Sequence, residues 1–179
     1  MTAKKYEGVM LVMGVLSTKG FPDSLKARLE SEFGYIAEVT EAFPFSFTDY
    51  YVPEMGEGIM RFFLRFDQLI SPDKLAEIKE KTNEIESLYS EDGKRKINLD
   101  PGTLSEANLI LATTKNRSHR IAIGRNLFAE ITLIYQKHGY QSFPWTYADY
   151  KSERVQSILL SFRSELLKIR RKLAENQIK

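Results

Sequence analysis

The run Gly8–Leu16 constrains the fold more than any other segment of the sequence. It is apolar, it carries no charge, and several of its residues are β-branched. It is shorter than the roughly 18 apolar residues of a membrane span. The polar segment 17–21 follows it, where a signal peptide would carry small residues for cleavage. The run is typical of a strand buried on both faces of a sheet. The sequence therefore predicts a cytoplasmic protein built around a central strand.

Composition excludes several classes of protein. The chain has 179 residues, 42% hydrophobic and 28% charged, which is typical of a globular protein and not of a disordered one. Its net charge of +2 is too small to indicate a nucleic-acid or membrane partner by itself. It has no cysteine, so a thiol nucleophile, a disulfide framework and a cysteine-ligated metal are excluded. We expect a single α+β domain over residues 1–179, with a core at 1–149 and a C-terminal helix at 150–179.

The order of the predicted elements indicates the fold class. Two helices begin at Pro22 and Ser71, where proline or serine suits a helix start, and they end near Gly34 and Asp92. The predicted strands are Gly8–Leu16, Tyr35–Thr40, Ile59–Phe66 and one further strand, either Lys94–Leu99 or Leu109–Thr114. This βαββαβ order predicts a ferredoxin-like core with an extended antiparallel sheet.

Three further strands extend the predicted sheet. A turn centred on Arg125 would place Arg120 opposite Glu130. The same pairing places Thr114 and Glu130 on one polar face and Leu111 on the other. The three strands are Leu109–Lys115, His119–Ile123 and Leu127–Tyr135.

The C-terminal segment from Asp149 reads as one long amphipathic helix. We expect it to pack on the sheet over its first half and to be solvated near its basic end, 168–172. A homodimer through this helix is an alternative use of the same apolar side. The apolar residues recur at helical spacing: Val155, Ile158, Leu159, Phe162, Leu166, Ile169 and Leu173.

Several phrases carry a family resemblance. They are the segments 48–56, 79–86, 98–102, 111–115, 119–121, 129–133 and 144–150. Together they resemble the prokaryotic family catalogued as domain of unknown function 4416, in order and over nearly the whole chain. The resemblance implies no established activity, although some members carry an automated GTP-binding label. The sequence gives that label little support, because it has neither a GxxxxGK[ST] loop nor an Asn-Lys-x-Asp element.

The Arg120/Glu130 pair is the first candidate for a site. An arginine held by a strand carboxylate can present its planar fork to an anion. Thr114 and Lys115 would lie beside it, and His119 could act as a general base. The alternatives are a structural cross-strand ion pair and an ordinary surface histidine.

Two other segments could complete the site. Asn98–Gly102 reads as a turn whose Asp100 would serve as an acid/base group or cation ligand, the alternative being plain turn chemistry. Tyr50, Glu54 and Trp145 lie on aromatic loops that would suit a partly planar ligand. The alternative for Trp145 is a packing anchor, and Asp149 could cap the last helix. A metal site is weakly indicated, since it would need Glu54, Asp100, Glu130 and Asp149 with His119 to assemble.

These residues favour a site for a small anionic ligand, of which a nucleotide is one example. Asp100, His119 and Glu130 are the catalytic candidates, and no metal ligand is assigned. The sequence names no reaction and no cofactor. The alternative is a non-catalytic RNA- or protein-binding module that uses Arg61, Phe63 and Arg65 or the basic helix end. Nucleic acid is the less favoured partner, because the polar phrases do not form a basic stripe. The candidate ligand-binding residues are Tyr50, Glu54, Thr114, Lys115, Arg120 and Trp145.

Overall fold

The computed structural model describes residues 5–177, with four helices and eleven strands among them. The helices are α1 (Asp23–Phe33), α2 (Val52–Met55), α3 (Leu75–Leu88) and α4 (Glu153–Gln177). The strands of the first half are β1 (Val9–Ser17), β2 (Ile36–Val39), β3 (Phe43–Pro44), β4 (Met60–Ile70), β5 (Ser90–Glu91) and β6 (Lys94–Arg95). Those of the second half are β7 (Ile97–Leu104), β8 (Asn108–Thr113), β9 (Ile121–Gly124), β10 (Leu127–Gln136) and β11 (Gly139–Ser142). Short 3₁₀ turns precede α3, at Pro72–Lys74, and α4, at Asp149–Lys151.

Nine strands form one large antiparallel sheet. Seven of them lie in the order β11-β10-β8-β7-β1-β4-β2, while β3 adds to β4 and β9 adds to β10. Strands β5 and β6 make a separate hairpin. The chain is therefore a mixed α/β protein with a large antiparallel sheet and a C-terminal helix.

Helices cover both faces of the sheet. On one face, Leu11 and Met13 of β1 share a buried cluster with Leu29 of α1 and Ile85 of α3. On the other face, Val12 joins a cluster that contains buried side chains of α4. All of β1 is buried, which confirms the central strand predicted from its uncharged sequence.

Successive side chains of β4 point to opposite faces of the sheet, so they pack against different helices. Phe62 and Leu64 pack toward α1 and α3, whereas Phe63 packs toward α4. Arg61 and Phe63 are 3% and 1% exposed, and Arg65 pairs with Glu38 of β2. Arg61 and Phe63 are therefore covered and do not form an open platform for RNA.

The turn predicted at 98–102 is wrong, because these residues lie within β7. Asp100 pairs with Gly14 of β1, and Pro101 pairs with Met13. Proline has no N–H to give to a neighbouring strand. Pro101 is tolerated here because β8 pairs with β7 only from Gly102 onwards.

The predicted pairing of β8 with β9 is also wrong, since β10 lies between them. Leu111 of β8 pairs with Glu130 of β10, so the two share a face and do not lie on opposite faces. The segment 114–120 is too long for a tight turn, and β9 reaches the other edge of β10. The second turn is present, but it is a two-residue loop and is not centred on Arg125: Gly124 pairs with Leu127, and Arg125 and Asn126 have φ of 55° and 56°. The register shifts between Leu127 and Phe128, after which Phe128 pairs with Ala122 as predicted.

Helix α4 is buried over its first half and exposed towards its end, as its sequence predicts. Val155, Leu159, Phe162 and Leu166 are buried, whereas Leu173 is 49% exposed. It starts at Glu153, a few residues later than expected, because Asp149–Lys151 forms the 3₁₀ turn. Within residues 5–177, none of the helices combines the length and the apolar character that a membrane span requires.

Candidate functional site

A cavity of about 450 Å³ lies where β7 and β8 separate. The two strands pair only between Gly102–Leu104 and Leu109–Leu111. Asn98 and Asp100 of β7 and residues 111–113 of β8 line the cavity. Side chains from α3, β4, β6, β10 and the loops before α2 and α4 contribute to its wall. Its lining therefore combines segments that are far apart in the chain, from Phe45 to Tyr150.

Arg61 is a buried charge in the cavity wall. Its Nε and Nη2 donate to Oδ2 of Asp149 at 2.9 and 2.5 Å, and its Nη1 lies 3.4 Å from Oδ2 of Asp100. A buried charge is costly unless it is paired, so these contacts fix the guanidinium in one place. Three aromatic rings have their centroids 5.3–5.5 Å from its Cζ: Phe45, Phe63 and Tyr150.

Asp100 lies among tyrosines whose hydroxyls remain protonated. Burial raises the pKa of Tyr51, and the negative charge of Asp100 raises it further. Burial also raises the pKa of Tyr147 and Tyr150, with smaller contributions from the nearby carboxylates. Among the described residues, Asp100 accepts only the long contact from Arg61, and its side chain is 25% exposed. A carboxylate accepts several hydrogen bonds, so Asp100 has capacity left for a ligand.

Arg95 organises the opposite part of the wall. Its Nε and Nη2 donate to the two carboxylate oxygens of Glu54 at 2.6 and 2.8 Å. Its Nη1 donates to Oε2 of Glu86 and to Oδ1 of Asn98, both at 2.9 Å. The hydrogen bond from Arg95 lowers the pKa of Glu54. Glu54, a predicted ligand-binding residue, therefore holds Arg95 and does not itself line the cavity.

Two charged residues of α3 face β7 in the same region. The buried Lys79 donates from Nζ to the carbonyl of Leu99 at 2.8 Å. The buried Glu86 accepts from the N–H of Leu99 at 2.7 Å and lies 3.8 Å from Lys79. Next to them, Nδ2 of Asn98 is buried and has no hydrogen-bond partner among the described residues.

The predicted Arg120–Glu130 pair is present. Glu130 is 2% exposed and accepts from Nε of Arg120 at 2.7 Å and from His119 at 3.2 Å. Arg120 also donates to the carbonyl of Lys115 at 2.7 Å and to the hydroxyl of Tyr147 at 2.9 Å. Because all three of its nitrogens have partners, this arginine joins two loops and does not present a free fork to an anion.

Lys115 differs from the other cations of the cavity. Its Nζ lies 2.5 Å from the hydroxyl oxygen of Tyr50 and 4.2 Å from the centroid of that ring. Arg61, Lys79 and Arg95 each have a carboxylate within 4.0 Å, whereas Lys115 has none among the described residues. Both Lys115 and Tyr50 are exposed, so they lie at the solvent side of the cavity.

Trp145 lies outside the cavity and packs in an aromatic stack. Its ring is stacked with Phe143 at 4.7 Å and with His119 at 5.0 Å between centroids. Its Nε1 donates to the carbonyl of Ile131 at 2.9 Å. Trp145 therefore has the contacts of an anchor for the loop before α4, while 36% of its surface stays exposed.

The structure brings together part of the predicted set. The predicted residues that line the cavity are Tyr50, Asp100, Thr114, Lys115 and Glu130. Glu54, His119, Arg120 and Trp145 do not line it; the first three contact lining residues, and Trp145 stacks on His119. The lining residues that the sequence does not predict for the ligand site include Arg61, Lys79, Arg95 and Asn98, and Asp149 is predicted only as a helix cap or as part of the weakly indicated metal site.

Some of the charged residues that the sequence does not predict for the site nevertheless interrupt an apolar pattern, which is a signal for a buried charge. Lys79 is four residues after Leu75, and Glu86 is four residues after Thr82, so both fall on the apolar stripe of α3. Arg61 is a charge in the middle of an apolar strand, and the alternative prediction places it on an open RNA-binding face, whereas the structure buries it. Asn98 lies in the predicted segment Asn98–Gly102, but only Asp100 of that segment is a predicted site residue, and Arg95 has no signal in the sequence.

The carboxylates do not gather into a metal centre. No group of three or more His, Asp or Glu residues that could hold a metal ion occurs within residues 5–177. Glu54, Glu130 and Asp149 each form an ion pair with a different arginine.

Comparison with known proteins identifies the family but not an activity. No curated protein and no solved structure matches the chain. The family model described as Domain of unknown function (DUF4416) matches residues 7–166, a range that includes every residue lining the cavity. Because the match covers most of the 179 residues, the chain belongs to the DUF4416 family.

Proposed function

We propose that the cavity binds a small anionic molecule that carries a planar polar ring, as a nucleotide does. The observation that carries this proposal is a cavity of about 450 Å³ whose wall combines buried, fixed charges with aromatic side chains. This volume is within the usual range for small-molecule sites, and convergent polar groups in an aromatic lining are typical of them.

Lys115 is the cation that best suits the anionic group. The other lining cations are neutralised by carboxylates, whereas the Lys115 ammonium has, among the described residues, only Tyr50 as a side-chain partner. Tyr50 and Phe47 line the same cavity and are 61% and 37% exposed, so they offer ring faces to a planar group. An anion beside Lys115 and a ring toward the interior would use both features.

The contacts support binding and do not point to a named reaction. Of the three catalytic candidates, Asp100 lines the cavity and keeps acceptor capacity. Glu130 and His119 contact each other, and Glu130 also holds Arg120. We therefore assign Asp100 to ligand contact and Glu130 to holding the loops that carry Lys115 and Tyr147.

Native mass spectrometry of the protein purified without added ligand is the first test. We expect extra mass that is lost on denaturation, and its value would identify the ligand class. In parallel, a thermal-shift screen of nucleoside monophosphates should raise the melting temperature of the wild type. Lys115→Gln should reduce this shift, and the matched control Lys172→Gln, in the exposed part of α4, should not. A bare mass together with no thermal shift for any member of the screen would contradict the proposal.

We also propose that β1, α1, β2, β4, α3 and β7 form a ferredoxin-like unit. The antiparallel strand order β7-β1-β4-β2, with α1 and α3 packed on the same face, supports this assignment. A cytoplasmic location stays a prediction of the sequence. Binding of RNA or of a protein through the basic end of α4, and a homodimer through that helix, also stay predictions.

A further inference from the structure

We propose that the ligand's ring enters the cavity first and presents an acceptor beside an N–H donor to Asn98 and Asp100. The ligand class is then a nitrogen heterocycle with a nucleobase-like edge, its anionic group remaining outside near Lys115. This orientation rests on the proposed function, since it requires that the cavity binds a planar ligand.

The strand geometry places the two side chains together. Asn98 and Asp100 are two residues apart on β7, so their side chains leave the same side of the strand roughly 6.6 Å apart. Both line the cavity. A single small ring in the cavity could therefore contact both.

Asn98 supplies a donor that lacks an acceptor. Its Oδ1 accepts from Arg95, which sets the orientation of the amide group. Its Nδ2 then points its hydrogens elsewhere, and this atom is buried without a partner among the described residues. Buried donors are rarely left unsatisfied in folded proteins, so an acceptor on a ligand would complete the site.

The charges around Asn98 favour a neutral acceptor over a phosphate. Lys79 and Arg95 bring two positive charges, and Glu54 and Glu86 bring two negative ones. The region therefore offers hydrogen-bond donors without an excess of positive charge. A ring carbonyl or ring nitrogen suits this environment, whereas a phosphate would add uncompensated negative charge.

Asp100 supplies the acceptor. The only hydrogen bond or ion pair of its carboxylate among the described residues is the 3.4 Å approach of Arg61, which Asp149 holds at shorter distances. The partly exposed Asp100 carboxylate can accept from a ring N–H or amino group. A donor at Asn98 next to an acceptor at Asp100 complements an edge that has an acceptor next to a donor, as hypoxanthine, adenine and uracil have.

The test compares intact and blocked ring edges by calorimetric titration. Three nucleotides are compared with counterparts methylated at the ring edge: inosine monophosphate with its 1-methyl form, adenosine monophosphate with its N6,N6-dimethyl form, and uridine monophosphate with its 3-methyl form. Ribose 5-phosphate, which has no ring base, is the seventh probe. We expect at least one intact nucleotide to bind and its methylated counterpart to bind about tenfold or more weakly, since methylation removes the N–H that Asp100 accepts. Ribose 5-phosphate should bind no better than inorganic phosphate.

Variants then assign the effect to these two residues. In Asp100→Ala, we expect weaker binding of the intact nucleotide and a smaller penalty for methylation, because the side-chain oxygens that accept the N–H are lost. Asn98→Leu should weaken the intact and the methylated probe alike. The control Asp67→Asn, at an exposed position of β4, should change neither. Melting temperatures of all variants show whether each one is folded.

The outcomes separate the orientation from the proposed function. Equal binding of intact and methylated nucleotides, or binding of ribose 5-phosphate as tight as that of the nucleotides, would overturn the orientation and leave anion binding in place. A methylation penalty that is unchanged in a folded Asp100→Ala variant would also overturn it. No binding of any probe would overturn both the orientation and the proposed function.

Discussion

Gly14 of β1 leaves the space in which the guanidinium of Arg61 lies. A Cβ atom on Gly14 would be 2.8 Å from Nη1 of Arg61 and 2.7 Å from the hydroxyl oxygen of Tyr150. Arg61 and Tyr150 are 3% and 2% exposed, so neither can move aside freely. Gly14 lies directly opposite Asp100 in the β1–β7 register. The central strand therefore contributes to the site because it has no side chain at this position.

Gly14→Ala should destabilise the protein by about 1–3 kcal/mol, because the added methyl group forces buried neighbours from their positions. Urea denaturation of wild type and variant measures this difference. Gly139→Ala is the matched control, since a Cβ there meets nothing within 4 Å. We expect the control to stay within about 0.5 kcal/mol of wild type. Equal stability of the two alanine variants would contradict the role of Gly14.

Arg61→Met should cost about 3–5 kcal/mol, because it leaves the buried carboxylate of Asp149 without its partner. The double variant Arg61→Met/Asp149→Leu should be less destabilised than the sum of the two single variants, since both charges are then absent. A double-mutant cycle by urea denaturation gives the coupling between the two residues. Additive effects would show that the pair contributes no interaction of its own.

Because of the Glu54–Arg95 contact, the free energy of unfolding should depend on pH in the acid range. Arg95 lowers the pKa of Glu54 from its ordinary value of 4.5. A carboxyl with a lowered pKa stabilises the fold at pH values above its unfolded pKa, and this stabilisation is lost as pH falls through the folded pKa. The wild type should therefore melt above Glu54→Gln at about pH 6, and the difference should shrink towards about pH 3. A difference that is constant with pH would contradict the assignment.

The sequence predicts local structure well where a short segment determines it. The uncharged β1, the alternating β4 and the hairpin at Arg125 are of this kind, and the hairpin register places Arg120 near Glu130. The pairing of β8 is different, because its alternation fits either neighbour, and only the packed sheet selects β10. Because β8 pairs with β10, Leu111 lies on the same face of the sheet as Glu130 and not on the opposite face, as the sequence predicts.

The candidate site depends on contacts that are distant in the chain. Arg61 and Asp149 are 88 residues apart, and no local pattern relates them. Arg95 and Glu54 are 41 residues apart on two short elements that sequence patterns do not reveal. Loops and aromatic phrases indicated Tyr50 and Asp100, but the buried charges that complete the cavity became visible only with the fold.

Arg120→Lys should loosen the two loops that it connects. The planar guanidinium donates to Glu130, to the carbonyl of Lys115 and to the hydroxyl of Tyr147, and a lysine ammonium cannot reach three acceptors in this fixed arrangement. We expect faster amide hydrogen exchange in segments 114–120 and 143–148, with β1 unchanged as the internal reference. Exchange rates in these loops equal to those of wild type would argue against a positioning role for Arg120.

Trp145→Phe distinguishes an anchor from a cavity wall. The tryptophan donates to the carbonyl of Ile131 and stacks on His119, but it does not line the cavity. Phenylalanine keeps a stacking ring and loses the hydrogen bond, so stability should fall by about 0.5–1.5 kcal/mol. Affinity for a nucleotide should remain close to that of wild type, whereas Tyr50→Ala, which removes a lining ring, should reduce it. A large loss of affinity in Trp145→Phe with unchanged stability would instead place Trp145 in the binding site, as the sequence predicts.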